Sequence, residues 1–119
     1  VNNVFIKGPS SSDRFVGEFA ITDHIYQSGN IVDLNRNGKL DARPVTVADF
    51  AGCTLVPAPW APPLAADSAL TAFRRVLADA GSSRHRDATD ARLIAQVASL
   101  GTRGEIVQAP PATTDGEQR

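Results

Sequence analysis

Between residues 57 and 63 the chain reads Pro-Ala-Pro-Trp-Ala-Pro-Pro, four prolines in seven positions. Each proline fixes φ at about −65° and removes a backbone donor, so neither a helix nor a central strand runs through this stretch. The segment is expected to lie extended across a surface, with Trp60 as its anchor. It divides the chain into halves with different periodicities. Before it, short apolar runs are separated by turn residues; after it, apolar residues recur at helical spacing.

The first half predicts short strands. Val1 to Ile6 is strand-like, and Gly8 to Asp13 is a turn cluster. From Arg14 to Ile21 the residues alternate, with Phe15, Gly17, Phe19 and Ile21 on one side. Ile25-Tyr26-Gln27 and Asn30-Ile31-Val32 flank a turn at Ser28-Gly29, and Val45 to Val56 supplies one or two further strands. Asn3-Val4-Phe5 and Asn30-Ile31-Val32 share the pattern of an asparagine followed by two apolar residues, 27 positions apart. That separation suits one coil of a stacked solenoid, in which equivalent residues lie over one another and asparagines hydrogen-bond along the stack. Such coils bury their apolar faces only against neighbours, so roughly three are needed for stability. The chain holds two at most, which predicts that the rest of the solenoid is supplied from elsewhere.

The second half predicts two capped helices. The first begins near Asp67 or Ser68, either a good N-cap, and carries the stripe Leu70, Phe73, Val76, Leu77 and Ala80 before Gly81. The second begins at Asp87, with Asp90 favouring the positive end of the helix dipole. It carries Leu93, Ile94, Val97 and Leu100 before Gly101. Both stripes are expected to be packing surfaces. Residues from Ala109 onward are proline, threonine, glycine and charges, a composition that predicts disorder.

Composition narrows the function. A formal net charge of −1 gives no general attraction to nucleic acid or to anionic membranes, and no apolar run is long enough to span a bilayer. The single cysteine, Cys53, excludes an internal disulfide and reads as a small buried hydrophobe. His24 and His85 lie far apart with no third ligand suggested, which argues against zinc. The chain starts at Val1 and contains no methionine, so its N-terminus is expected to come from proteolysis or processing.

One loop has the spacing of a calcium ligand set. Asp33 to Asp41 reads D-x-N-x-N-G-x-L-D, with oxygen ligands at the first, third and fifth places in Asp33, Asn35 and Asn37. Gly38 takes the sharp turn, the Lys39 carbonyl follows, Leu40 points inward, and Asp41 supplies a second carboxylate. The bidentate acid that usually ends such loops is replaced by Pro44, and Arg36 and Lys39 weaken the local field. Two readings stay open: a turn closed by its own side chains, and a weak calcium site.

The stretch from Ala72 to Val97 closely resembles the helical tail of many bacterial pectate lyases. In those, a helix ending in "VL..AGA" is followed by "RDAVDARL"; here Val76-Leu77, Ala80-Gly81 and Arg86-Asp87-Ala88-Thr89-Asp90-Ala91-Arg92-Leu93 take those places. Ile25 to Asp33 is similar to their late "YQSGNYVD" strand and turn, and Val1 to Pro9 to their "VNNYYKPGP" coil. The resemblance runs over residues 1–107. It implies mainly β structure: the last coils of a right-handed parallel β-helix over residues 1–56, a proline-rich linker over 57–66, a helical cap over 67–107 and a disordered tail over 108–119. It also implies cleavage of polygalacturonate by β-elimination, with Ca²⁺ held by carboxylates and an arginine as base. That family's calcium ligands and its Arg-x-Pro-x-x-Arg signature precede the matched coil. Arg43-Pro44 does not fit the signature, so no catalytic residue is assigned. Lys7, Arg14 and Arg36 are the cations that would reach an anionic sugar if their coil faces the groove, and are otherwise solvated. The implied partners are the N-terminal part of the same protein and the acidic polysaccharide, with no nucleic acid and no membrane, in a secreted or periplasmic setting. Calcium is expected mainly on the N-terminal part. The alternative is a small calcium-dependent interaction module, dockerin-like in logic and non-catalytic.

Overall fold

In the first half, short apolar runs between turn residues form strands of two or three residues. The computed structural model describes residues 1–12, 19–50, 52–62 and 64–104. The strands are β1 (Val4–Ile6), β2 (His24–Ile25), β3 (Ile31–Asp33), β4 (Arg43–Pro44) and β5 (Thr54–Leu55). A single 3₁₀ turn over Val47–Phe50 precedes β5. The part of the predicted alternation at 13–18 lies outside the described residues; beyond it, Phe19 and Ile21 are exposed.

The pairing is mostly parallel and long-range. β1 lies beside β3 with Val4 opposite Ile31, a step of 27 residues. β2 lies beside β5 with His24 opposite Thr54, a step of 30. The chain thus passes twice through the same two small sheets. β4 departs from this pattern, turning back antiparallel on β3 with Pro44 opposite Ile31 at the sheet edge, where a missing N–H is tolerated. Five strands this short do not by themselves constitute a parallel β-helix.

The asparagine echo is a rung between the two passes. Asn30 is buried, and its Oδ1 accepts from the Asn3 backbone N–H at 2.8 Å and from Asn3 Nδ2 at 3.0 Å. Its own amide donates to Gln27 Oε1 at 3.3 Å. Below the rung sits a small core of Val32, Val45 and Phe50, flanked by Phe5, Ile25, Cys53 and Leu55. Cys53 is half-buried, with Sγ 3.6 Å from the Ala20 carbonyl oxygen.

The helices are α1 (Ala69–Asp79) and α2 (Ala88–Ala98). Local signals set their bounds. Ser68 Oγ accepts from the Thr71 N–H, and Asp87 Oδ1 from the Asp90 N–H at 2.8 Å. Gly81 has φ +70°, as a left-handed residue past a helix end requires. Arg86 reaches back to donate to the carbonyls of Leu77 and Ala78, closing the end of α1. Gly101 is needed twice over: its φ is +84°, and a Cβ there would run into the Lys7 carbonyl oxygen. Its small size lets the end of α2 seat against the coils.

The helix stripes are covered only in part, with Phe73, Leu77, Ile94 and Leu100 half-buried. Ala69 is the buried residue of α1, and α2 has none; Leu70, Val76, Leu93 and Val97 are 44–61% exposed. Trp60, expected as an anchor, is 74% exposed. The physical reason is area: two passes of short strands present too little surface to cover a linker and two helices. The linker is pinned instead by a polar contact, Asn2 Nδ2 donating to the Asp67 carbonyl at 2.8 Å.

Candidate metal centre

The loop joining β3 to β4 is built on consecutive turns in which a side-chain oxygen takes the N–H two residues ahead. Asp33 Oδ1 accepts from the Asn35 N–H at 3.3 Å, Asn35 Oδ1 from Asn37 at 3.1 Å, and Asn37 Oδ1 from Lys39 at 2.8 Å. Asx spacing of this kind is what aspartate and asparagine at every second position provide. It curls the backbone so that the even-spaced side chains share one concave face. Gly38 makes the sharp turn with φ +78°, and Leu40 is half-buried beneath it.

The two asparagine amides close on the last carboxylate. Asn35 Nδ2 donates to Asp41 Oδ1 at 2.5 Å and Asn37 Nδ2 to Asp41 Oδ2 at 3.0 Å. These bonds favour the charged carboxylate, and together with the nearby Lys39 ammonium they hold Asp41 below the usual aspartate range, the Asn37 bond contributing most. Asp33 stands at the other end, 3% exposed, and its Oδ2 has no hydrogen-bond partner. An unpartnered oxygen on a buried carboxylate costs free energy unless a donor or a cation meets it.

Of the residues predicted as ligands, Asp33 ends β3 and Asn35, Asn37 and Asp41 follow in the loop. The structure ties Asn35 and Asn37 directly to Asp41, and reaches Asp33 through the Asn35 backbone. Lys39 enters through its N–H, while its side chain stands exposed. Pro44, at the place of the missing acid, is committed to β4. No cluster of three or more His, Cys, Asp or Glu side chains occurs among the described residues. Arg36 points away to the Pro9 carbonyl at 3.4 Å, Lys7 is half-buried with an interaction of its own, and Arg14 lies outside the described residues.

A neighbouring polar clamp was not foreseen. Arg43 grips Asp49 with two bonds, of 2.8 and 2.7 Å, and Asp49 Oδ2 also accepts from the Thr46 N–H at 2.7 Å and from Thr46 Oγ1 at 3.0 Å. Thr46-x-x-Asp49 has capping-box spacing, which is the signal that would have found it. The Arg43 guanidinium, helped by the Thr46 bonds, holds Asp49 well below the usual carboxylate range.

The fold and loop can be set beside known proteins. A protein of Neosartorya fischeri named probable pectate lyase C is 33% identical over 111 residues, 90% of this chain and 26% of its own length. Proteins of the same name from Aspergillus terreus and Aspergillus fumigatus are 31% and 32% identical over 98% of this chain, or 32% and 30% of their own lengths. The chain is thus similar over most of its length to part of three fungal proteins named probable pectate lyase C. All three are fungal, so the bacterial origin suggested by the sequence motifs is not supported. The chain spans about a quarter to a third of the length of these relatives. No family model matches it, and no solved structure does.

Proposed function

We propose that this chain is the C-terminal part of a pectate-lyase-like enzyme. In it, residues 1–56 finish a right-handed parallel β-helix and the helical segment caps it. The observation that carries this reading is the double parallel pairing, β1 on β3 and β2 on β5 at steps of 27 and 30 residues. Parallel pairings at nearly equal steps are how a solenoid grows, and the relatives are long enough for several more. The acidic polysaccharide polygalacturonate is the substrate, and the protein works outside the cytoplasm. Catalytic carboxylates, their Ca²⁺ and the arginine base belong to the preceding part of the protein. There the ion supplies electrostatic acidification of the proton next to the uronate carboxylate. No catalytic residue is assigned within this chain.

The loop from Asp33 to Asp41 is a second, weaker calcium site on this reading. Asp33 Oδ2 is the oxygen that lacks a donor, and Asp41 supplies the second carboxylate. With two carboxylates the affinity is expected to be weaker than about 10⁻⁵ M. A single loop with so little charge does not favour the interaction-module alternative.

The test is the longer protein with polygalacturonate, in calcium and in chelator. Calcium-dependent unsaturated product is expected; saturated ends would indicate hydrolysis and overturn the reading. Calcium titration of the protein against its Asp41→Ala variant checks the loop: identical heats from both would remove it as a site.

A further inference from the structure

We propose that the hollow between the end of β1 and α2 binds one uronate unit, with the Arg103 guanidinium as the counter-ion of its carboxylate. The inference goes beyond the lyase reading, which names a polymer but no residue of this chain that holds it.

The hollow has a volume of about 300 Å³, at the small end of the range for ligand sites, which matches a single ring. Ile6 of β1 lines one side. Leu93 and Val97, one turn apart on α2, line the other. Gly8, Gly101 and Gly104 complete the lining, and their lack of side chains keeps it open.

Three polar side chains share this lining, and each has a donor to spare. Ser11 Oγ accepts from the Gly8 N–H at 2.9 Å, which leaves its own hydrogen to donate elsewhere. Gln96 is half-buried, and its side-chain amide makes no hydrogen bond among the described residues. A polar group in such a place normally has a partner. The Arg103 side chain has none there either; only its backbone N–H is held, by Ser99 Oγ at 3.0 Å. No carboxylate is among the lining residues.

That inventory selects the ligand. An excess of donors over acceptors calls for an anionic oxygen ligand, and a guanidinium presents its donors in the fork that fits a carboxylate. One such group balances a singly charged carboxylate and falls short of a phosphate dianion. The Gln96 side-chain oxygen can accept from a ring hydroxyl, and the aliphatic walls take the ring's C–H face. A carboxylate, hydroxyls and an apolar face on one ring together describe a uronate. The polygalacturonate proposed above is built of such units.

The experiment uses the longer protein, isotope-labelled, with galacturonate as the probe. Nuclear magnetic resonance follows the Gln96 side-chain amide and the Gly8 and Gly104 backbone amides. All three signals are expected to move with a common dissociation constant. Arg103→Gln should weaken that binding on the order of tenfold, the loss of a charge-assisted bond at an exposed rim. Galactose, the ring without the charge, and acetate, the charge without the ring, should each bind about tenfold more weakly or worse. No movement at Gln96, as when another segment of the longer chain fills the hollow, would overturn the proposal. So would equal affinities for galacturonate and either control, or for the parent and Arg103→Gln. The site and the enzyme reading fail separately. Calcium-dependent unsaturated product without movement at Gln96 sinks only the site, and movement at Gln96 in a protein that forms no such product sinks only the enzyme reading.

Discussion

The Asn3–Asn30 rung and the caps at Ser68 and Asp87 are all made by side chains bonding backbone N–H groups. The rung reaches over 27 residues and the caps over three. The strand half is held together by pairings that exist only once distant segments meet. The helical half is bounded by signals its own few residues carry. That difference explains the incomplete burial on both sides. Helices specified locally form whether or not their partner surface is present, so their stripes stand open. Strands specified by long-range pairing need a partner segment, and β1 has one on one side alone among the described strands.

The contrast is broken most forcefully at Phe50. It is 3% exposed and packs with Val32 and Val45 where both passes of the chain meet. Phe50→Ala is expected to cost about 3 kcal/mol or more, read from urea unfolding. A loss no larger than that of a cap variant would mean that the coils are not the cooperative unit. Next comes Asn30→Ala, which strands the Asn3 N–H and removes three bonds in a buried place. The expected cost is about 1–3 kcal/mol, and Asn30→Asp should recover part of it at neutral pH by keeping the acceptor. Ser68→Ala and Asp87→Ala should each cost about 1 kcal/mol. Circular dichroism should show the loss confined to helix signal, while the β1 and β3 amides keep their protection.

The smallest effect is one of acidity. Asp49 has its folded-state pKa lowered from 3.8, chiefly by the Arg43 guanidinium. A lowered carboxylate pKa contributes stability that is complete above the unfolded value and fades as pH falls toward the folded one. The stability gap between the parent and Asp49→Asn should therefore be constant near neutrality and narrow below pH 3.8. A gap that widens on acidification would show that the clamp does not stabilise the ionised form.

What could be read beforehand follows the same division. Ser68, Asp87 and Gly81 were legible because a cap needs only one residue type at one place. The loop at 33–41 was legible for the same reason: aspartate and asparagine at every second position, then glycine, dictate the turn that forms. The parallel register was legible only through Asn3 and Asn30, since an asparagine with a partner 27 residues away leaves a visible echo. β2 and β5 left none, because His24 and Thr54 share no side-chain chemistry. The antiparallel return of β4 was hidden by Pro44, a residue that argues against a strand until an edge accommodates it. Exposure of Trp60 and of Leu70, Val76, Leu93 and Val97 was not legible at all, because burial depends on how much surface the strands offer to pack against.

The most direct test of this account is hydrogen exchange at the Val4 and Ile6 amides in the longer protein. If β1 is an interior strand of a continuing solenoid, both should exchange as slowly as the Val32 amide in the strand beside it. If they exchange as fast as the amides of the exposed linker at Ala65 and Ala66, β1 is a true edge, and the chain is not the end of a stacked enzyme.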